Sequence, residues 1–438
     1  MSLPTLRTDL LEPWMTRQRW YAAKGSEPAL TEIGAWELTT DDPDARAVVH
    51  LVLDETAGKP TLYQVPLVYR GTALGLPGPG VWDGVHVVDA PHDPAFTAAL
   101  LRVIRSGGRL EGDRAWAEGS PVGDAVAGDY RSRVLGGEQS NTSIVFEADA
   151  APPLIVKLFR ALHDGANPDV ELQTAIAEAG GTGVPRPVGA ITADWSDTGT
   201  QSGRARGHVA FAQEFLPGSE DAWQVALEVA RSNEPFTAQS EQLGRTTALI
   251  HSALASALGT QPPSEQQIAS SVAQMRGRLA LAVAEVPALA ELGDAASAVI
   301  DAAADAEWPA QQRVHGDLHL GQILSAGDRG WVFVDFEGEP LRPMHERVLP
   351  DSPWRDVAGM LRSLDYVAGA VPSATEHTAQ ARAAYLAGYR SAAGIDPTGA
   401  VLDAFELDKA LYEVVYEARN RPDWLAIPLG AVARLTAR

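Results

Sequence analysis

Residues 314–324 read VHGDLHLGQIL and residues 331–340 read WVFVDFEGEP, and these two stretches decide the fold. Each combines a loop with a short apolar run typical of a β-strand, so together they predict a strand-loop-strand unit over residues 313–337. Long Ala-rich stretches typical of helices surround this unit from about residue 220 onward. Three short predicted strands precede them, between residues 132 and 159. The pattern therefore predicts the α+β class, with a strand-rich lobe followed by a mainly helical lobe.

The polar residues of this unit follow an order that phosphoryl transfer requires. Asp317 lies in the loop, the amide of Gln322 follows five residues later, and Asp335 ends the second apolar run. In phosphoryl transfer one carboxylate accepts the proton of the attacking hydroxyl, while an amide oxygen and a second carboxylate hold a divalent cation against the phosphates. We therefore predict that Asp317 is the general base and that Gln322 and Asp335 bind Mg²⁺.

Composition excludes several other classes of protein. The 438 residues include 57 acidic and 35 basic side chains, which gives a net charge of −22. A chain this acidic repels nucleic-acid phosphates and anionic lipids, so we expect no nucleic-acid partner and no membrane partner. Cysteine is absent, which excludes disulfides, thiolate metal sites and cysteine nucleophiles. The beginning of the chain is too mixed in polarity for a secretory signal, and we expect a cytoplasmic protein.

Further motifs resemble a known family. The unit above, together with PDSPWRDVAGM at 350–360, is similar to the aminoglycoside phosphotransferase and choline-kinase superfamily, and within it to the maltokinase-like sugar kinases of actinobacteria. The resemblance extends to RQRWY at 17–21, GGEQSNTS at 136–143 and YEARNRPDW at 416–424. It implies a bilobal protein-kinase-like fold with an extra N-terminal α/β cap. The implied parts are a cap over 1–90, a strand-rich lobe over 91–217 and a helical C-lobe over 218–438, with ATP and Mg²⁺ as cofactors.

The resemblance places the nucleotide in the strand-rich lobe. Lys157, at the end of a strand, and Glu171, on the next helix, match a phosphate-binding lysine and its orienting carboxylate. The glycine-containing turn before residue 143 would lie over the phosphates, and the segment after the last strand of this lobe would bind adenine through its backbone. The residues concerned are Gly137, Ser140, Asn141, Thr142, Gln213, Glu214 and Leu216.

Several residues near the catalytic loop have structural interpretations beside functional ones. Asp356 resembles the buried carboxylate that holds the catalytic loop by accepting backbone N–H bonds. His251, within a predicted helix, resembles the helical histidine of the superfamily and is expected to be structural. His315 is expected to pack and hydrogen-bond behind the catalytic loop, whereas His319 is a candidate both for substrate contact and for structural support. Glu337 is a candidate ligand for a second metal ion.

The acceptor is the part that the sequence determines least. Arg419, Asn420, Asp423 and Trp424 supply the polar groups and the aromatic face typical of a sugar site, although the same segment also fits a helix end followed by a turn. The resemblance implies two acceptors, glucosamine at its 6-hydroxyl and maltose at its anomeric hydroxyl, and its overall pattern favours the glucosamine kinase branch. The favoured reaction is glucosamine plus ATP to glucosamine 6-phosphate plus ADP, with maltose 1-kinase as the alternative.

Two other classes stay open at this point. An aminoglycoside phosphotransferase shares the same core motifs. A non-catalytic, nucleotide-binding pseudokinase would be expected to lack Asp317, Asp335 or Lys157, and this chain retains all three. The expected partner is a small sugar or amino sugar, and the expected oligomeric state is a monomer or a weak homodimer.

Overall fold

The structure is a computed structural model that describes residues 3–56, 60–123, 128–136, 141–197, 199–200, 202–339 and 342–437. The strands, in chain order, are β1 Leu30–Leu38, β2 Ala45–Asp54, β3 Thr61–Arg70, β4 Gly80–Trp82, β5 Val85–Asp89, β6 Gly108–Asp113, β7 Ala115–Pro121, β8 Arg131–Val134, β9 Asn141–Glu147, β10 Leu154–Phe159, β11 Ala161–Leu162, β12 Pro187–Ser196, β13 Arg204–Glu214, β14 Glu220–Asp221, β15 Ile323–Ser325 and β16 Trp331–Phe333. The helices are α1 Thr8–Met15, α2 Pro94–Ser106, α3 Pro168–Glu178, α4 Ala222–Arg231, α5 Thr237–Leu258, α6 Glu265–Glu285, α7 Gly293–Ala304, α8 Met344–Arg347, α9 Trp354–Ala370, α10 Thr375–Ala393, α11 Ala400–Asn420 and α12 Ala426–Thr436.

The chain divides into two compact units, and the first holds most of the strands. It comprises Met1–Thr174 and Pro185–Pro217. Its strands hydrogen-bond in the order β4-β5-β3-β2-β1-β6-β7-β12-β13-β10-β9-β8, and β11 pairs with β3. The strands β1 and β6 are joined through one residue pair, Trp36 opposite Gly112. The strands of the predicted cap and of the predicted strand-rich lobe therefore belong to one continuous sheet.

The strand β10 carries Lys157 in the middle of its ladder, opposite Ser143 on β9 and Phe211 on β13. Five of its six residues are buried, all but Ile155, so the strand lies inside the sheet with both of its faces covered. The helix α3 begins at Pro168, where a proline has no N–H to leave unsatisfied, and the side chain of Asn167 accepts the backbone N–H of Asp169 at 2.8 Å. This cap sets the first turn of α3 close to β10.

The second unit comprises Ala175–Val184 and Gly218–Arg438 and contains the helices α4 to α12. Its small sheet has the order β14-β15-β16. The helices α5 and α10 approach closely because each has a glycine at the contact: a Cβ added to Gly244 would clash with the carbonyl oxygen of Tyr385, and one added to Gly388 would clash with that of Glu241. The helices α5 and α10 are therefore tightly packed against each other within the second unit.

This architecture confirms the predicted α+β class, with strands concentrated in the first unit and helices in the second. The three-part division at residues 90 and 217 stays a prediction, since the structure divides the chain into two units. In the part of the chain that the structure describes, no helix has both the length and the apolarity that a membrane span requires.

Candidate active site

The catalytic loop, residues 315–322, is held by a buried carboxylate on α9. Asp356 is 1% exposed, and it accepts the backbone N–H of His315 and of Gly316, both at 2.8 Å. It also contacts the Nε2 atom of His251 at 3.0 Å. Burial alone would raise the pKa of Asp356, but the hydrogen bond and charge of His251 together with the loop N–H groups lower it, so the carboxylate stays ionised. The loop is therefore anchored two residues before Asp317.

Two further residues of α9 fix the rest of the loop. A Cβ added to Gly359 would clash with the carbonyl oxygen of Leu318, so the helix can approach the loop this closely only because glycine lacks that atom. One turn later, Ser363 accepts the backbone N–H of Leu320 at 3.0 Å. The sequence WRDVAGMLRS thus supplies one face of a helix that shapes the loop.

The two predicted magnesium ligands lie side by side. Strand pairing between β15 and β16 brings the backbone of Gln322 opposite Val334, whose N–H donates to the Gln322 carbonyl at 3.0 Å. The amide of Gln322 contacts the carboxylate of Asp335 at 3.1 Å. Asp335 has a φ of 65°, a left-handed conformation that is costly for a non-glycine residue and is found mostly at functional sites.

These side chains fit a hard divalent cation. Glu337 and Asp335 offer carboxylate oxygens that lie within 4.8 Å of each other, a separation that two ligands of one ion can close. A set made of carboxylate and amide oxygens is the type that Mg²⁺ prefers. The residues present therefore fit the predicted metal, with Glu337 as a candidate ligand beside Gln322 and Asp335.

The structure adds a residue that sequence reasoning missed, Lys409 on α11. Its ammonium donates to the Oδ1 atom of Asp317 at 3.0 Å, and both side chains are largely buried. Burial opposes ionisation of Asp317, but the charges of Lys409, His319 and His315 outweigh it and lower the pKa of this carboxyl. Lys409 in turn keeps its proton, because Asp317 and the carboxylates of Glu339 and Glu413 raise its pKa against the effect of burial.

The two histidines of the loop have different surroundings. His315 is 2% exposed, its Nε2 atom contacts the carbonyl of Val334 at 3.0 Å, and its ring lies against Phe336 with a centroid separation of 4.5 Å. His319 accepts the backbone N–H of Gly321 through Nδ1 at 3.1 Å, and burial lowers its pKa. His319 therefore loses its proton more readily than a free histidine does, and its contact with substrate stays a prediction.

In the first unit, Lys157 has a partner that the sequence analysis did not name. Its ammonium donates to Asp169 at 2.9 Å, and Asp169 is fully buried. The other carboxylate oxygen of Asp169 accepts the amide of Gln173 at 2.6 Å. Glu171, the predicted partner, lies two residues further along α3, and its role toward Lys157 stays a prediction. A charged pair of this kind holds the lysine at a defined position on β10.

The structure describes some, but not all, of the residues predicted to bind the phosphates and the adenine of ATP. Gly137 and Ser140 lie outside the described residues. Asn141 and Thr142 begin β9, and the Thr142 hydroxyl accepts the Nε–H of the buried Arg160 at 2.8 Å. The residues predicted for adenine lie at the end of β13 and just after it: Gln213, Glu214 and Leu216.

The predicted sugar-binding residues lie at the end of α11 and make local contacts. Arg419 pairs with Glu285 on α6, with the Nε–H donating at 2.8 Å, and the side-chain amide of Asn420 donates to the Tyr416 carbonyl at 2.8 Å. Trp424 stacks on Tyr366 with a centroid separation of 6.0 Å, and Asp423 is exposed in the short turn Pro422–Trp424. Eleven residues of helix, or about 16 Å of rise, separate Asn420 from Lys409. Their part in binding a sugar stays a prediction.

Two family models match the chain. Residues 132–400 match the phosphotransferase enzyme family, and residues 14–93 match the maltokinase N-terminal cap domain. The first match covers the strands around Lys157 and the whole catalytic loop. Both agree with the resemblance that the motifs indicate, which is thereby confirmed.

Relatives and solved structures agree with these family models. A glucosamine kinase of Streptacidiphilus jiangxiensis is 31% identical over 323 residues, covering 66% of this chain and 70% of that protein. A glucosamine kinase of Mycolicibacterium smegmatis is 29% identical over 327 residues, covering 68% of this chain and 78% of that protein. The structure of a glucosamine kinase in complex with glucosamine, ADP and inorganic phosphate is 22% identical, with a TM-score of 0.72 over 99% of this chain and 100% of that one. The likeness confirms the predicted kinase-like fold.

Measurements of unfolding can test whether Asp169 is the partner that stabilises Lys157. In Asp169→Asn the buried ammonium loses its carboxylate, and we expect the free energy of unfolding of the first unit to fall by about 3 kcal/mol. In Glu178→Gln, the matched variant at an exposed position of the same helix, we expect a change below about 1 kcal/mol. Thermal and urea unfolding of the full chain measure both, and equal losses in the two variants would contradict this pairing.

Proposed function

The chain belongs to the phosphotransferase enzyme family, in its glucosamine kinase branch, and from that premise we propose that it transfers the γ-phosphoryl group of ATP to the 6-hydroxyl of glucosamine. The protein is a phosphotransferase that uses ATP and acts on a sugar hydroxyl. The exact acceptor, the general base and the metal ligands are the proposed parts.

Each proposed role uses an atom of this chain. Asp317 accepts the proton of the attacking hydroxyl as the oxygen bonds to phosphorus and ADP leaves. The side chains of Gln322, Asp335 and Glu337 would hold Mg²⁺, which supplies charge neutralisation to the phosphates when it is bound. Lys157, held by its buried carboxylate partner, supplies a fixed positive charge for the nucleotide phosphates.

The observation that carries the proposal is the state of Asp317. This carboxylate sits on a loop whose N–H groups are anchored, its pKa is lowered, and Lys409 holds one of its oxygens at 3.0 Å. Lys409 thereby fixes the position of one carboxylate oxygen of Asp317. The ionised carboxylate can accept a proton at neutral pH. A pseudokinase needs none of these features, and the arrangement therefore supports a catalytic protein.

Glucosamine is proposed as the acceptor because both relatives reported above are glucosamine kinases. Maltose stays the second candidate, on the specific ground that residues 14–93 match the maltokinase N-terminal cap domain. The two acceptors differ in size and in charge, since only glucosamine carries an ammonium group. They can therefore be separated by simple kinetics.

An acceptor panel tests the proposed reaction. With ATP and Mg²⁺ we expect ADP release with glucosamine to exceed that with maltose, glucose or kanamycin by at least about tenfold in kcat/KM, because each contact that only one acceptor makes is worth about 1–3 kcal/mol. ³¹P NMR of the product should show a phosphate monoester at carbon 6. Preference for maltose, with phosphate at the anomeric carbon, would transfer the assignment to the second candidate.

Removal of the general base is expected to abolish most turnover. In Asp317→Asn the amide cannot accept the proton, and we expect kcat to fall by about 10²–10⁴-fold while the affinity for ATP, measured by calorimetry, changes little. Asp305→Asn, at an exposed position after α7, serves as the matched control and should keep full activity. A loss of less than tenfold in Asp317→Asn would remove Asp317 from this role.

The contact with Lys409 predicts a shift in pH dependence. The base acts when it is deprotonated, so a lower pKa of Asp317 extends activity toward acid. In Lys409→Met that pKa rises, and the acid limb of the kcat/KM profile should move to higher pH, whereas Lys409→Arg should keep it near the wild-type position. An unchanged acid limb in Lys409→Met, in a variant with wild-type thermal stability, would show that Lys409 does not set the ionisation of the base.

A further inference from the structure

Arg160 is a buried arginine at the point where the chain passes from the strand-rich lobe to the N-terminal cap, residues 14–93. It stands between β10, which ends at Phe159, and β11, which begins at Ala161 and pairs with β3 of the cap. Its carbonyl accepts the backbone N–H of Gln64 on β3 at 2.8 Å, and the residue is 0% exposed. A buried guanidinium is costly unless its N–H groups are bonded, so its contacts indicate which parts of the chain it holds together.

Two contacts of the Arg160 side chain lie in the cap. An Nη2–H group donates to the Oδ1 atom of Asp89, at the end of β5, at 3.2 Å. The guanidinium carbon lies 4.8 Å from the ring centroid of Trp20, whose face attracts the positive charge. Both partners are buried, and Trp20 packs on Tyr63 of β3 with a centroid separation of 5.6 Å. The guanidinium is thus anchored in the packed interior of the cap.

The third contact of the side chain lies outside the cap, at the start of β9. The Nε–H of Arg160 donates to the hydroxyl of Thr142 at 2.8 Å. In the ladder between β9 and β10, Thr142 is opposite Leu158, and the next residue, Ser143, is opposite Lys157. Opposite residues share a face of the sheet and successive residues alternate, so Thr142 lies on the face away from Lys157. Arg160 therefore holds the start of β9 from behind the face that carries Lys157.

Packing alone does not require an arginine at this place. A buried ion pair contributes little net stability compared with apolar side chains of similar volume, because both charges lose their hydration. The guanidinium adds direction, since its planar fork bonds one oxygen in the cap and one oxygen on β9 at fixed angles. The strands β9 and β10 carry the residues predicted to contact the phosphates, namely Asn141, Thr142 and Lys157. Arg160 thus fixes one end of this strand pair relative to the cap.

We propose that Arg160 is a positioning residue for the nucleotide: it holds the start of β9 against the cap, so that the strand pair β9–β10 presents Lys157 to the phosphates of ATP. The inference rests on the proposed function, because it takes Lys157 as the residue that binds those phosphates. It gives the cap a part in nucleotide binding that is transmitted through the contacts of Arg160 with Asp89 and Trp20.

The first test compares two buried arginines of the first unit. In Arg160→Met we expect KM for ATP to rise at least about tenfold, because the start of β9 loses its support, while KM for glucosamine changes less than about threefold. Arg70→Met is the matched control, since Arg70 is 4% exposed and bonds Asp93 at 2.6 Å and Asp42 at 2.7 Å, both outside β9 and β10. It should lose stability but keep the wild-type KM for ATP. An equal rise in KM for ATP in both variants would show that Arg160 only stabilises the fold.

Milder variants test the route from the cap, and they decide the question if Arg160→Met does not fold. In Asp89→Asn the charged partner of Arg160 becomes neutral, and KM for ATP should rise about threefold or more. Thr142→Val removes the acceptor on β9 but keeps the shape of the side chain. If Arg160 acts through Thr142, Asp89→Asn should change KM for ATP less than about twofold in a Thr142→Val background. Effects that simply multiply in the double variant would contradict this route.

Calorimetric titration with ATP separates this inference from the proposed function, because it needs no acceptor. ATP should bind at least about tenfold more weakly to Arg160→Met than to the wild-type protein, with thermal unfolding confirming that the variant is folded. Wild-type affinity for ATP in Arg160→Met would overturn the positioning role while the proposed function stands. If the wild-type protein binds ATP but does not phosphorylate glucosamine, the proposed function fails, and the calorimetric comparison alone decides the role of Arg160.

Discussion

The active site depends on one buried carboxylate that accepts backbone N–H groups. Asp356 joins α9 to the catalytic loop through His315 and Gly316, and His251 compensates its charge from α5. The loop that carries Asp317, the proposed general base, turns through a left-handed glycine, Gly316, and depends on contacts from outside the loop. The helix supplies these contacts to the loop backbone, while Lys409 engages only the Oδ1 atom of Asp317. The geometry of Asp317 follows from that of α9.

The charges of this acidic chain are compensated locally rather than globally. Lys157 and Lys409 each have a carboxylate at hydrogen-bond distance, that of the buried Asp169 and that of the partly buried Asp317, although the net charge is −22. In a medium of low effective dielectric a single lysine acts strongly on its neighbour and weakly at a distance. Two fixed cations can therefore act on the proposed phosphate site and on the proposed base even though the chain as a whole is acidic. The net charge therefore indicates which partners the chain repels, but it does not indicate the chemistry of the site.

The sequence predicted those parts of the molecule that depend on local pattern. The apolar runs beside Asp317 and Asp335 predicted a strand-loop-strand unit over residues 313–337, and β15 and β16 lie there. Lys409 was missed because it lies 92 residues from Asp317 on an ordinary amphipathic helix, where nothing in the local spacing distinguishes a ligand from a solvated lysine. Asp169 was missed because two acidic residues share the first turn of α3, and their spacing along the chain does not show that Asp169 lies at hydrogen-bond distance from Lys157. Such choices are made by tertiary contacts, which spacing along the chain does not report.

The position of a residue along the helix α11 limits the size of acceptor that it can contact. Asp408 and Lys409 stand at the level of the base, whereas Arg419 and Asn420 lie about 16 Å further along the axis. A single pyranose ring that places a hydroxyl at Asp317 is too short to contact the far end of the helix, but a disaccharide extends toward it. We therefore expect an acceptor of one ring to be bound near Lys409. The predicted sugar contacts at residues 419–424, where Arg419 bonds Glu285 and Trp424 stacks on Tyr366, are easier to reconcile with an acceptor longer than one ring.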